Sequence, residues 1–72
     1  MAKQNKVKKT RDEEAISRAE LSRRSGLAER TIKRVEDNTR AIAPLTMNKL
    51  VYGFNTIENK KRNYTIEYLF SE

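Results

Sequence analysis

The sequence predicts an all-α fold, a bundle of four to five short helices, and three observations predict it. Met47, Leu50, Val51 and Phe54 recur at i, i+3, i+4 and i+7, the spacing of one buried helix face. Helix-start signals punctuate the chain: Ser17 three residues before Glu20, then Pro44, then Thr65. Gly26 falls between two short helical stretches, where a left-handed turn costs glycine least, and no stretch reads as a strand.

The first eleven residues hold Lys3, Lys6, Lys8, Lys9 and Arg11, no acid, and little apolar content beyond Val7. Two readings stand. A first helix over about 4–14 would touch the core through Val7, with Thr10 and Arg11 one turn on. Alternatively Thr10 and Glu13, at capping-box spacing, start a shorter helix and leave residues 1–9 as a basic arm. The longer helix is the preferred expectation. Ser17-Arg18-Ala19-Glu20 is a better capping box, in which the Ser17 hydroxyl accepts the Glu20 amide and the Glu20 carboxylate reaches back to that of Ser17. It opens a second helix over about 18–24, with Leu21 inward and Arg23 and Arg24 outward. A third helix covers about 28–37, its buried side marked by Leu27, Ile32 and Val35. Ala28 is a poor cap for it, although Glu29 suits the positive end of the helix dipole. Residues 38–43 connect to a fourth helix begun by Pro44. The stretch 55–64 is polar and basic and reads as a loop. Thr65 then caps a last short helix that presents Ile66, Leu69 and Phe70 to the core.

With 72 residues the chain is expected to be one domain over 1–72. A chain near this size buries only about 60% of its unfolded surface, which leaves little room for an enclosed catalytic cavity. Sixteen Lys and Arg against ten Asp and Glu give a net charge of +6, which suits an anionic partner. Cysteine and histidine are absent, so no disulfide or Cys/His zinc site can be built, and no metal or cofactor is expected. General acid–base work would fall to Asp, Glu, Lys or Tyr, and the acidic cluster Asp12, Glu13 and Glu14 is more simply a solvated helix face. An enzyme is not expected. No apolar run approaches the roughly 20 residues of a membrane span, so a cytoplasmic location without membrane association is expected.

Residues 17–37 have the makings of a helix-turn-helix, in which a first helix crosses a DNA backbone and a second enters the major groove. Such a pair needs small residues where the helices approach, a glycine in the turn and branched apolar braces beneath the second helix. Counted from Arg18, Ala19 and Ser22 are the small residues, Gly26 falls ninth, and Ile32 and Val35 fall fifteenth and eighteenth. Glu29, Arg30, Lys33, Arg34 and Asp37 lie at i, i+1, i+4, i+5 and i+8 and share the opposite side. Arg and Lys can donate to the acceptors of guanine, and Glu29 can accept from cytosine or orient its basic neighbours. Glu29, Arg30, Lys33 and Arg34 are therefore the candidate base-reading residues.

The run ISRAELSRRSGLAERTIKRVEDN, residues 16–38, resembles the lambda-repressor and Cro-like helix-turn-helix family, also called the xenobiotic-response-element type. Looser similarity extends through LTMNKLVYGFN and YTIEYLF. The resemblance implies a lambda-repressor-like DNA-binding domain. It implies phosphate contacts from Ser17 and Arg18 at the start of the second helix, from Thr31, and from Asn38, Thr39 and Arg40 after the third. It also implies a structural pair between Arg11 and Glu36, with Gly26 in the turn. The family usually has a glycine or similar residue where this chain has Ala15, often Ser or Thr where Ala28 stands, and a shorter stretch than 55–64.

Together these point to sequence-specific binding of double-stranded DNA by a small transcriptional regulator or repressor of bacterial or phage type, associated with the nucleoid. A homodimer on a palindromic site is expected, because one recognition helix reads few base pairs. Phe54, Ile57, Leu69 and Phe70 could supply the dimer contact, although core is their simpler role. The alternative is an antitoxin-like or adaptor module that uses the same fold to hold a protein. RNA binding is disfavoured, since Tyr52, Tyr64 and Tyr68 lie away from the charged face and leave it no stacking platform.

Overall fold

The computed structural model describes residues 5–37 and 42–70, and the structural statements below concern these. Five helices follow one another: α1 (Val7–Glu13), α2 (Arg18–Ser25), α3 (Glu29–Asp37), α4 (Pro44–Asn55) and α5 (Ile66–Phe70). The expected all-α architecture with a central helix-turn-helix is the one found.

Helix α1 follows the longer-helix expectation in reaching the core through Val7, with Thr10 one turn on, but not in its bounds. It is shorter than 4–14, and Thr10 is no cap, since it is fully buried inside the helix. The start is set by Asn5, whose side-chain oxygen accepts the Val7 amide at 2.9 Å in the manner of an Asx turn. The Asn5 amide nitrogen meanwhile donates to the Val35 carbonyl at 2.8 Å, which fixes α1 against α3. Residues 7–9 are helical and form no free arm; residues 1–4 lie outside the described part.

Between α1 and α2 the backbone at Ala15 turns left-handed, with φ 59°. An L-residue enters this region at a cost of about 1–2 kcal/mol. Ser17 then caps α2, its hydroxyl accepting the Glu20 amide at 3.0 Å. Only this half of the capping box forms. The Glu20 carboxylate is instead held by Arg23 at 2.6 Å and Arg24 at 2.7 Å. Gly26 ends α2 with φ 80°, and open space surrounds the position of a Cβ there, so the demand for glycine is conformational rather than steric.

Helix α4 begins on Pro44 and lies closely along α2. At the crossing, a Cβ on Gly53 would sit 2.9 Å from Ser25 Cβ and 3.0 Å from its Cα. Arg24, expected to face outward, turns back across this contact and donates to the Thr56 carbonyl at 3.0 Å. Val7, Leu21, Ile32, Val35, Leu50, Phe54 and Leu69 form the core, with Ile57 and Tyr64 from the polar stretch after α4.

Those last two residues correct the reading of 55–64 as a plain loop. Asn55 clamps the Tyr64 backbone, its amide donating to the carbonyl and its oxygen accepting the N–H, both at 2.8 Å. Ile66 is another correction, being 37% exposed. Helix α5 has only five residues and inserts Leu69, and Tyr64, just before it, is buried as well. Thr65 does cap α5, accepting the Tyr68 amide at 3.0 Å. No helix among the described residues is long and apolar enough to cross a membrane.

Candidate nucleic-acid interface

The turn between α2 and α3 is stapled by short-range bonds. The Ser22 hydroxyl donates to the Leu27 carbonyl, and Ser25 Oγ accepts the Leu27 amide at 3.2 Å. Ala28 supplies no side-chain cap to α3, but its carbonyl accepts the amides of Thr31 and Ile32 at 3.0 and 3.1 Å. Ile32 and Val35 then anchor the inner side of α3 in the core. The outer side follows by helical geometry: Glu29, Arg30, Lys33, Arg34 and Asp37 are all exposed, and Thr31 is half-buried at the margin.

A buried ion cluster fixes the far end of α3. Arg11 Nε lies 2.8 Å from Glu36 Oε2, and Arg18 Nη2 lies 3.5 Å from Glu36 Oε1. The Glu36 side chain is only 2% exposed, so one carboxylate joins α1, the start of α2 and α3. Its hydrogen bond with Glu36 raises the pKa of Arg11 further and leaves the cation permanent. Ser17 is exposed and Arg18 half-buried at the start of α2, with Arg18 Nε enclosed and unpartnered among the described residues. Asn38, Thr39 and Arg40 lie outside the described residues.

Charge on the α3 face is partly paired. Lys33 Nζ holds Asp37 Oδ2 at 2.9 Å, both side chains more than half exposed. This hydrogen bond, and then the Lys33 charge, lowers the Asp37 pKa. Arg30 and Arg34 have no ion-pair partner among the described residues. The face therefore presents two planar guanidinium groups, one tethered ammonium and the Glu29 carboxylate, which has no ion-pair partner among the described residues. Such a set can donate paired hydrogen bonds to acceptors on a base edge or to phosphate oxygens. The spacing pattern of the sequence located this face but missed the pairs, although Lys33 and Asp37 stand at the i, i+4 separation that signals one. Among the described residues, no group of three or more acidic, His or Cys side chains could hold a metal ion.

Two crystal structures are similar in fold, each of a point mutant of the restriction-modification controller protein C.Esp1396I. The first matches at TM-score 0.62 and 23% identity over 65% of this chain and 63% of that one. The second matches at TM-score 0.62 and 26% identity over 65% and 61%. The match spans less than two thirds of either neighbour's length, and the likeness is one of fold. Neither a family model nor a curated protein matches the chain.

Proposed function

We propose that this chain is a sequence-specific binder of double-stranded DNA, a small transcriptional regulator that inserts α3 into the major groove. One observation carries the reading: α3 is seated in the core through Ile32 and Val35 while Glu29, Arg30, Lys33 and Arg34 are exposed on its outer side. A solvated surface helix needs neither a glycine-turned partner helix nor a buried carboxylate fixing its far end. A reading helix gains from both, because its donors must be held in place to match base edges. The shared fold with a restriction-modification controller protein supports the same reading.

In this proposal Arg30 and Arg34 are the primary base readers, Lys33 reads or grips after leaving Asp37, and Glu29 selects against wrong bases. Ser17, Arg18 and Thr31 meet phosphate beside the groove, and Asn38, Thr39 and Arg40 do so beyond it. The chain acts as a homodimer on a palindromic site, in the cytoplasm of a bacterial or phage-infected cell. Phe54 and Leu69 are fully buried and Ile57 nearly so, which removes them as dimer contacts. Phe70 is half-buried and stays a candidate, and the exposed Leu45 and Tyr52, seven residues apart on α4, join it as the proposed partner contacts.

The test is selection of bound duplexes from a random pool, followed by sequencing. A palindromic consensus is expected. Arg30→Ala or Arg34→Ala should relax single positions of it at a cost of about 1–3 kcal/mol each. Recovery of an unenriched pool would sink the proposal. So would charge reversal at Arg30, Lys33 and Arg34 that leaves cellular function intact, which would favour a protein partner.

A further inference from the structure

The helix-turn-helix holds only part of the chain's positive charge. Residues 17–37 carry six bases against four acids, +2 of the total +6. Another +2 sits in residues 56–64, where Lys60, Lys61 and Arg62 stand against Glu58 alone. A solvated linker would leave these side chains loose. Here the segment is pinned at several points: Asn55 clamps Tyr64, and the Glu14 carboxylate accepts both the Lys61 amide at 2.9 Å and the Tyr64 hydroxyl. The rings of Phe54, Tyr64 and Tyr68 make a tilted column with centroid separations of 5.5 and 5.7 Å.

At one end of that column two cations converge. Arg62 Cζ lies 4.9 Å from the Tyr68 ring centroid, and Lys6 Nζ, brought in at the start of α1, lies 4.6 Å from the same ring. Attraction to the ring holds each cation. Neither has an ion-pair partner among the described residues, and the one Glu14 carboxylate that feels Lys61 and Arg62 offsets only part of their charge. Lys61 and Arg62 are themselves exposed. The result is a cluster of positive charge outside the helix-turn-helix, with the Lys6 and Arg62 heads held on Tyr68 and Lys60 and Lys61 carried on a pinned backbone.

We propose that Lys6, Lys60, Lys61 and Arg62 form a second contact surface for the phosphate backbone of duplex DNA. The inference rests on DNA being the ligand of α3, and it adds grip rather than sequence preference. Three of the four are lysines, point charges that hold phosphate without the planar fork that distinguishes bases.

The salt dependence of binding tests it, because each phosphate neutralised contributes about −0.9 to the slope of log K against log salt. Full-length chain is titrated against labelled selected and scrambled duplexes between about 50 and 200 mM salt. In Lys60→Gln/Lys61→Gln/Arg62→Gln the slope is expected to flatten by about 2–3, with both affinities falling together and their ratio kept. The charge-preserving Lys60→Arg/Lys61→Arg/Arg62→Lys is expected to keep the wild-type slope. An unchanged slope in the glutamine variant would overturn the proposal. Equal flattening in the charge-preserving variant would overturn it too, since that outcome marks a structural role, and so would a changed ratio between the two duplexes. A wild-type chain with a steep slope but no preference between duplexes would refute the base-reading role of α3, while a flattened slope in the glutamine variant would still support this surface.

Discussion

Gly53→Ala sets two effects of known size against each other. In the interior of a helix, alanine is favoured over glycine by about 1 kcal/mol, so propensity alone predicts a more stable protein. The crossing of α2 and α4 predicts the reverse. The new methyl would lie 2.9 Å from Ser25 Cβ, 3.0 Å from Ser25 Cα and 3.1 Å from Ser25 N. These atoms are backbone or bonded directly to it, so no flexible side-chain end can swing aside, and the two helices must part. Overpacking of this kind costs about 1–3 kcal/mol, and a backbone obstacle places it in the upper half of that range. The expected net loss is about 1–2 kcal/mol, or a fall in Tm of about 4–15 °C for a domain of this size. Urea and thermal unfolding followed by far-ultraviolet circular dichroism measure it. An alanine variant as stable as the wild type, or more stable, would refute the close crossing of α2 and α4.

Ala15→Gly should act in the opposite direction. Relief of the left-handed backbone is worth about 1–2 kcal/mol, offset by about 0.4–1 for the freer unfolded chain, so a gain of about 0.5–1 kcal/mol is expected in urea unfolding. No gain at all would count against a strained turn at this exposed residue. Arg11→Met leaves the Glu36 carboxylate buried with only the longer Arg18 contact, and a loss of about 2–3 kcal/mol follows, below the usual 3–5 because that second partner remains. A loss within experimental error would show that the pair does not organise α3. Tyr64→Phe tests the acid limb of stability. Burial pushes the Glu14 carboxyl up, but the Tyr64 hydroxyl, the Lys61 amide and the charges of Lys61 and Arg62 outweigh it and hold the group below its ordinary value of 4.5. A depressed carboxylate stabilises the fold above its unfolded pKa, and that contribution is lost as pH falls through the folded value. The gap between wild type and Tyr64→Phe should therefore be full above pH 4.5 and narrow below it; a gap independent of pH would remove Glu14 from the explanation.

What could be read from the sequence was what short-range chemistry decides. The Ser17 cap needs only Glu20, the left-handed end of α2 needs only Gly26, and the burial of Ile32, Val35, Leu50 and Phe54 follows from helical spacing. The exposed face of α3 follows from the same spacing. What escaped depends on partners distant along the chain. Tyr64 lies in a polar run and is buried because Asn55 and Glu14, nine and fifty residues away, bind it. Gly53 looks like an ordinary lapse in helix propensity until α2 is laid against it. The start of α1 was misplaced because Asn5 acts through Val7 and Val35 together. Glu20 had two claimants at plausible spacing, the Ser17 amide and the arginines, and the cations prevailed.

The joining of α1 to α5 has a consequence for the order of assembly. The Lys6 amide donates to the Leu69 carbonyl at 2.8 Å, Lys6 covers Tyr68, and Val7 and Leu69 occupy one core. Helix α1 leaves the ribosome first, yet it has no complete seat until residues 64–69 have followed. Helices α2, α3 and α4 can gather on one another sooner, since their mutual contacts lie within residues 18–55. On a ribosome adding about 5–20 residues per second, α1 must wait several seconds at the slow end before its last partners exist. The contacts of α1 with α3, Arg11 on Glu36 and Asn5 on Val35, lie within residues 5–36 and can close early, so it is the seat of α1 on α5 that waits for residues 64–69.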